Sequence, residues 1–134
     1  MAIRDAKDSG GSKLTAKMAV IKSETGNMLM TDASGFATNG ADTASCLGLG
    51  IAQEVVDNTG GSAGDKEILY REGCYGWMKN SSANAVAQSH LNTDVFMEDS
   101  ETVASSTTNS VKAGVAKELD ATLGVLVYFP ASTP

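Results

Sequence analysis

Turn-forming residues recur along the chain at intervals of about eight to twelve residues, and this spacing constrains the fold more than any other feature. Glycine, asparagine and aspartate cluster between short apolar segments, as in "ETGN" at 24–27 and "NTGGSAGDK" at 58–66. Turns this frequent leave room for short strands and for few helices. We therefore predict an all-β fold: a small β-barrel or a β-sandwich-like single domain.

The segments between the turns supply the predicted strands, which are "LTAKMAVIK", "MLMTD", "CLGLGIAQEVVD", "EILYREGCYGWMK", "VFMED", "AGVAKELD" and "GVLVYF". The segment "EILYREGCYGWMK" is the longest, and Gly73 within it predicts a bulge that shifts the alternation of side chains. The segment "ASGFATNGADTAS" is predicted to be a loop, because Gly35 and Gly40 interrupt it. Residues 81–91 fit either one short helix capped by Ser81 or Ser82, or a long loop between strands.

Two of the predicted strands resemble each other. "GIAQEVVD" at 50–57 matches "GVAKELDA" at 114–121 in its glycine, alanine and glutamate positions, and each segment runs into a turn. Two interpretations stay open at this point. Both segments are simply strands that enter similar turns, or they occupy equivalent places in a barrel.

The chain divides into three parts. Residues 1–13 are polar, carry charges of alternating sign and contain Gly10 and Gly11, which predicts a flexible N-terminal arm or one that a partner orders. Residues 14–130 form the predicted β-rich domain, and residues 131–134 form a short C-terminal tail. The arm has no apolar segment of the kind found in secretory signals, which favours a protein made and kept in a cytoplasm.

The composition excludes several classes of partner. The 134 residues carry a formal net charge of −6, which disfavours nucleic acid and anionic membrane surfaces. No segment is long and apolar enough to predict a membrane span. Aromatic residues make up only 5% of the chain, so the core depends on smaller side chains. Such a core leaves little margin of stability, and we expect a partner or an oligomer to contribute some of it.

No arrangement of residues predicts catalysis, a cofactor or a metal site. "GGSAGDKE" lacks the Gly-Lys-Ser/Thr sequence of a phosphate loop, and the single His90 lies in a polar segment without a nucleophile motif. Cys46 and Cys74 have no zinc-ligand spacing and are expected to be unpaired apolar groups, although a disulfide between them is an alternative. The acidic cluster "MEDSE" at 97–101 fits a solvated turn better than a calcium loop or a hydrolase site. We therefore expect a protein that is not an enzyme.

The order of these segments resembles that of tailed-bacteriophage capsid decoration, or cement, proteins. The resemblance covers residues 14–129 and runs through "GLGIAQEVVDNTGGSAGDKEILYREGCYGWMKNSS", "VFMEDSETVA" and "KAGVAKELDATLGVLVYF". The polar arm before Leu14 departs from the pattern, and so does the long polar loop "SETVASSTTNS". The resemblance implies a β-barrel-like structural protein of the virion that binds the capsid exterior and stabilises contacts between major capsid protein subunits. It also implies synthesis in the cytoplasm of a bacterial host and self-association, with a trimer favoured over a dimer or a monomer.

Six residues are candidates for the capsid or subunit interface. They are basic residues of the arm and residues of one strand: Arg4, Lys7, Lys13, Tyr75, Trp77 and Lys79. Alternation beyond Gly73 places Tyr75, Trp77 and Lys79 on one face and Cys74, Gly76 and Met78 on the other. Trp77 is then either the largest side chain of the core or an aromatic anchor for a partner. An alternative function for Tyr75 and Trp77 is to stack on sugars in a carbohydrate- or receptor-binding module of a virion or cell surface.

Overall fold

Strands form nearly all of the regular structure in the computed structural model, which describes residues 12–131. The strands are β1 (Ser12–Lys17), β2 (Lys22–Ser23), β3 (Met28–Thr31), β4 (Ala37–Asn39), β5 (Leu47–Ala52), β6 (Val56–Asp57), β7 (Glu67–Glu72), β8 (Cys74–Asn80), β9 (Asp94–Met97), β10 (Thr102–Ala104), β11 (Lys112–Asp120) and β12 (Gly124–Phe129). The prediction of an all-β fold is confirmed. Residues 81–91 form a loop with one 3-10 turn at Gln88–His90, so the helix alternative is wrong.

Two five-stranded units make up the fold. Strands β8 to β12 form a closed barrel in the order β10-β8-β12-β11-β9, which we call the C-terminal barrel. Strands β1, β3, β4, β5 and β7 form a sheet in the order β1-β7-β5-β3-β4. A parallel bridge between Met18 and Ala37 brings the two ends of this sheet together, and we call the unit the N-terminal barrel. The short strands β2 and β6 pair with each other beside it.

The two barrels have the same topology. In chain order, β1, β3, β4, β5 and β7 correspond to β8, β9, β10, β11 and β12, and each neighbouring pair of strands runs in the same relative direction in both units. The register corresponds as well, because Leu29 pairs with Gly50 in one barrel and Val95 pairs with Gly114 in the other. The chain is therefore a structural duplication. The two similar sequence segments at 50–57 and 114–121 begin at equivalent positions of β5 and β11.

A bulge occurs at the same place in both barrels. The pairing of β3 with β5 skips Leu49, and the pairing of β9 with β11 skips Ala113. A bulge bends its strand and increases its twist, which helps a sheet of only five strands to curve onto itself. In the N-terminal barrel, the bulge lies in the glycine-rich start of β5.

The predicted strand at 67–79 is in fact two strands, which is a correction to the sequence analysis. Gly73 separates β7 from β8 with a φ of 68°, and the two strands belong to different barrels. The N–H of Gly73 donates to the carbonyl of Phe129 at 2.6 Å, and this hydrogen bond holds the point where the chain passes from one barrel to the other. A left-handed residue turns the chain out of the first sheet, and glycine accepts this conformation without strain.

Two short strands were missed by the sequence analysis. Strand β4 lies inside the segment predicted to be a loop, and β10 lies inside the polar "SETVASSTTNS" segment. Both have three residues and occupy equivalent places in the two barrels, where each closes its barrel. Of the predicted arm, residues 1–11 lie outside the described part of the chain, while Ser12 and Lys13 belong to β1 and pair with Glu72 and Arg71. The predicted tail lies outside it from residue 132 onward.

The barrels are joined by a shared core. Met28, Met30 and Ile51 lie on the outer side of the N-terminal barrel, yet they belong to the same buried cluster as Val111 and Phe129 of the C-terminal barrel. A second cluster, which includes Leu29, Ile68 and Tyr70, fills the N-terminal barrel itself. One end of the C-terminal barrel therefore packs against the side of the N-terminal barrel, a contact that we call the barrel junction.

Candidate functional site: the outer face of strands β8 and β12

Alternation along β8 separates an inner from an outer face, as the sequence predicts. Cys74 and Met78 point inward and are 4% and 6% exposed. Tyr75 and Trp77 point outward and are 58% and 37% exposed, and Lys79 is exposed on the same side. The interpretation of Trp77 as the largest side chain of the core is therefore wrong. The largest aromatic residue of the chain lies on the surface of the C-terminal barrel.

Strand β12 extends this face. Tyr128 lies directly across from Tyr75, and Leu126 lies across from Trp77. The two tyrosine rings have centroids 5.0 Å apart and are tilted by 53°, which is a favourable arrangement for aromatic pairs. We call Tyr75, Trp77, Leu126 and Tyr128 the outer aromatic face. Leu126 and Tyr128 were not among the predicted site residues, although alternation in "GVLVYF" places them on the opposite face from Val125 and Val127.

An open groove of about 560 Å³ runs beside Trp77, between the two barrels. Its walls come from the turn before β3, from β8, from the turn between β9 and β10 and from the turn before β12; the lining residues are Glu24, Thr25, Gly26, Asn27, Trp77, Met78, Lys79, Ser100, Glu101 and Leu123. Lys79 forms an exposed ion pair with Glu101 at 3.2 Å. Leu123, which is 53% exposed, extends the apolar surface from Trp77. The groove thus combines an aromatic wall with carboxylates and one ammonium group.

The other predicted interface residues are not all brought together. Lys13 lies on β1 of the N-terminal barrel, where it occupies the position that Tyr75 holds in the C-terminal barrel, because Lys13 pairs with Arg71 and Tyr75 with Tyr128. Arg4 and Lys7 lie outside the described residues. The described part of the candidate site therefore consists of three predicted residues, Tyr75, Trp77 and Lys79, with the two β12 residues beside them.

The carboxylates of the acidic turn each have a structural partner. Glu98 accepts a hydrogen bond from the Ser81 hydroxyl at 2.5 Å, and Asp99 accepts one from the backbone N–H of Glu101 at 2.8 Å. Glu101 is paired with Lys79. Within residues 12–131, no group of three or more His, Cys, Asp or Glu residues is placed to hold a metal ion.

The remaining reactive side chains are also used by the fold. The Nδ1 atom of His90 accepts a hydrogen bond from the N–H of Ala87 at 2.8 Å. Cys46 and Cys74 are both free thiols, and burial raises the pKa of Cys74, with a smaller opposing effect from Arg71. A thiol with a raised pKa holds its proton and is a poor nucleophile. Cys46 and Cys74 are not bonded to each other, so the disulfide alternative is wrong.

Comparisons with protein-family models, with curated proteins and with solved structures found no match for this chain. Across the described residues, no helix has the length and apolar character needed to cross a membrane.

Proposed function

We propose that the chain is a non-catalytic structural protein of a bacteriophage head, which binds the outer surface of the shell and stabilises contacts between major capsid protein subunits. The single observation that supports this proposal most is the outer aromatic face. Two large side chains, Tyr75 and Trp77, are exposed on a strand whose other side is buried in a closed barrel. A chain with only 5% aromatic residues has three of them in this one patch, which are Tyr75, Trp77 and Tyr128.

The chemistry of this face suits a protein partner. Tyrosine and tryptophan dominate the residues that contribute most to binding at protein interfaces, because they bury a large area and lose little side-chain entropy. The face lies on two paired strands of a closed barrel rather than on a loop, so strand pairing sets the spacing of its side chains. Lys79 and Glu101 lie at its edge as an exposed ion pair, which matches the polar rim that surrounds such contacts.

A net charge of −6 supports the location on the outside of a shell. DNA inside the head repels an acidic protein, and the 10 Lys and Arg residues do not balance the 16 Asp and Glu residues. The resemblance of the motif order to decoration proteins gives the partner its identity in this proposal: the major capsid protein, on the exterior of the virion.

Co-sedimentation with expanded, undecorated heads of the phage that encodes the chain tests the proposal. We expect the wild-type protein to sediment with the heads. We expect Trp77→Ala to weaken this binding by about 30-fold, since interface residues of this type contribute about 2 kcal/mol or more. Val55→Ala is the matched control, because Val55 is 56% exposed and lies in the turn between β5 and β6. A wild-type protein that stays in the supernatant contradicts the proposal.

The groove beside Trp77 favours a second candidate function, a carbohydrate- or receptor-binding module of a virion or cell surface. Sugar rings stack on aromatic side chains and hydrogen-bond to carboxylates and amides, and Trp77, Glu24 and Asn27 line one groove. A glycan array separates the two candidates. Strong binding to a defined class of glycan, lost in Trp77→Ala, favours this second function, whereas an array without hits together with binding to heads favours the first.

A further inference from the structure

Strand β8 has a neighbouring strand on only one edge along most of its length. Strand β12 pairs with residues 74–78, whereas β10 pairs on the opposite edge with Lys79 and Asn80 alone. Within residues 12–131, no other strand pairs with this second edge before Lys79. We call residues 75–77 on this side the open edge. Such an edge is a row of main-chain groups on which another strand can form.

The main-chain groups of Tyr75 and Trp77 point toward the open edge. Successive residues of a strand present their N–H and C=O groups to alternate sides. The N–H of Lys79 donates to the carbonyl of Glu101, which leads into β10, at 2.8 Å. Trp77 and Tyr75 come two and four residues before Lys79 and therefore face the same side. No strand or turn of the described chain pairs with them there, while the residues on either side of Trp77 face β12.

The groove of about 560 Å³ beside Trp77 lies along this edge. Its walls include Ser100 and Glu101, which precede β10, and the turn at 24–27. The N–H of Met28 donates to the carbonyl of Ser100 at 2.8 Å, which holds this turn next to the start of β10. The open edge therefore faces a space that can receive an added strand.

The equivalent edge of the N-terminal barrel carries different side chains. Lys13 and Thr15 of β1 are the counterparts of Tyr75 and Trp77, by the registers of β1 with β7 and of β8 with β12. Lys13 is exposed, and exposed lysines on an edge strand oppose the addition of a second strand. Of the two equivalent edges, the one in the C-terminal barrel thus has aromatic side chains where the other has lysine and threonine.

We propose that an extended segment of the major capsid protein adds as a strand to the open edge of β8. Its main chain forms hydrogen bonds with the N–H and C=O groups of Tyr75 and Trp77, and its outward side chains pack on the outer aromatic face. The identity of the partner rests on the proposed function, and the mode of binding is new. The regular alternation of donors and acceptors matches another main chain, which favours a polypeptide over a glycan in this groove.

The charges of the groove define one side chain of the added segment. Glu101 is paired with Lys79, whereas Glu24 has no ion pair among the described residues. A neutral segment that covered the groove would remove water from the Glu24 carboxylate without replacing it by a partner, which is costly. The segment therefore carries a lysine or an arginine beside Glu24.

Amide hydrogen exchange followed by NMR tests the open edge in the free protein. The amides of Gly76 and Met78 should exchange slowly because they face β12, while those of Tyr75 and Trp77 should exchange at least about 10-fold faster. A Trp77 amide that is protected as strongly as that of Met78 would show that the edge is already occupied, and would overturn the proposal.

Synthetic peptides of about eight residues, tiled across the major capsid protein of the phage that encodes the chain, test the partner. We expect one basic peptide to bind at concentrations up to about 1 mM and to change the fluorescence of Trp77, the only tryptophan. The same peptide should slow the exchange of the Tyr75 and Trp77 amides by about 10-fold or more. Tyr75→Lys, which introduces the residue of the equivalent edge, should lose this binding. Leu47→Lys is the control and should keep it, because Leu47 is 73% exposed and does not line the groove.

Two results with the peptides would overturn the proposal: no peptide binds, or a peptide binds while the Tyr75 and Trp77 amides exchange as in the free protein. The second result would indicate contact through side chains alone. A glycan that changes the Trp77 fluorescence when no peptide does would assign the groove to carbohydrate. Binding to heads without binding to any peptide overturns the strand addition and leaves the proposed function intact, whereas peptide binding without binding to heads contradicts the proposed function alone.

Discussion

Gly50 and Gly114 occupy the same position in the two barrels, and each lies against a carbonyl of the neighbouring strand. A Cβ on Gly50 would collide with the carbonyl oxygen of Arg71, and one on Gly114 would collide with that of Tyr128. Arg71 and Tyr128 are themselves counterparts, because Ile51 pairs with Arg71 and Val115 with Tyr128. The duplication therefore extends to the close approach of backbone to backbone.

We predict that Gly50→Ala and Gly114→Ala both destabilise the protein, each by about 1–3 kcal/mol, since the added methyl group forces the backbone apart. Urea unfolding curves measure the change. Gly60→Ala is the control, because a Cβ on Gly60 meets nothing within 4 Å. The equivalence of the two positions is contradicted if only one of the two variants loses stability.

Truncation of two neighbouring residues of β8 is predicted to cost different amounts of stability. Met78 points into the C-terminal barrel and is 6% exposed, so Met78→Ala should cost about 2–5 kcal/mol of unfolding free energy. Trp77 points outward, and Trp77→Ala should cost less than about 1.5 kcal/mol. Chemical denaturation of the two variants beside the wild type checks this order. A larger loss for Trp77→Ala would mean that Trp77 acts mainly as a structural residue.

The two thiols are predicted to react at different rates. Cys74 is buried and burial raises its pKa, whereas Cys46 is only half-buried. At pH 8, a thiol reagent such as DTNB should modify one thiol per chain quickly, and the second only after denaturant is added. A Cys46→Ser variant should lose the fast phase. A fast phase that survives in this variant would place the accessible thiol at position 74.

Acid is predicted to weaken the hydrogen bonds that join two loops at the barrel junction. Asp42 lies in the loop between β4 and β5, and Thr108 and Asn109 lie in the loop between β10 and β11. The Asp42 carboxylate accepts hydrogen bonds from the N–H groups of Asn109 at 2.8 Å and Thr108 at 3.2 Å. The bond from Asn109 is the largest cause of the lowered pKa of Asp42. Because the folded pKa lies below the unfolded one, the stabilisation is present above about pH 4 and is lost as the pH falls through the folded pKa.

Thermal unfolding of the wild type and of Asp42→Ala at several pH values tests this link. The wild type should have the higher melting temperature at pH 7, and the difference between the two proteins should shrink below about pH 4. A difference that stays constant down to pH 2 would show that the Asp42 charge has no part in it.

The fold could be predicted from the sequence wherever an apolar segment lies between turn-forming residues. β3, β5, β7, β8, β9, β11 and β12 all come from such segments, and alternation along β8 placed Tyr75 and Trp77 on the opposite face from Met78. Strands β4 and β10 could not be predicted in this way. Each has three residues in a segment rich in Ser, Thr or Gly. One edge of each pairs with the preceding strand, and the other edge meets a strand or bridge far away in the sequence, which is β8 for β10 and Met18 for β4.

The sequence predicted which residues of β8 share a face, but not which of the two faces is exposed. Both faces of β8 carry large apolar residues, so alternation separates Trp77 from Met78 without revealing which one is buried. The answer comes from the closure of the C-terminal barrel, which depends on the pairing of β8 with β10 and β12. The same pairing brings Tyr128 beside Tyr75, a contact between residues far apart in the sequence.

The most direct test of the proposed function is a cryo-EM map of phage heads decorated with this protein, at a resolution that shows side chains. We predict that Tyr75 and Trp77 of the outer aromatic face are buried against major capsid protein subunits, with Lys79 at the edge of the contact. A map in which this face points into solvent, while another surface of the barrels touches the shell, would contradict it.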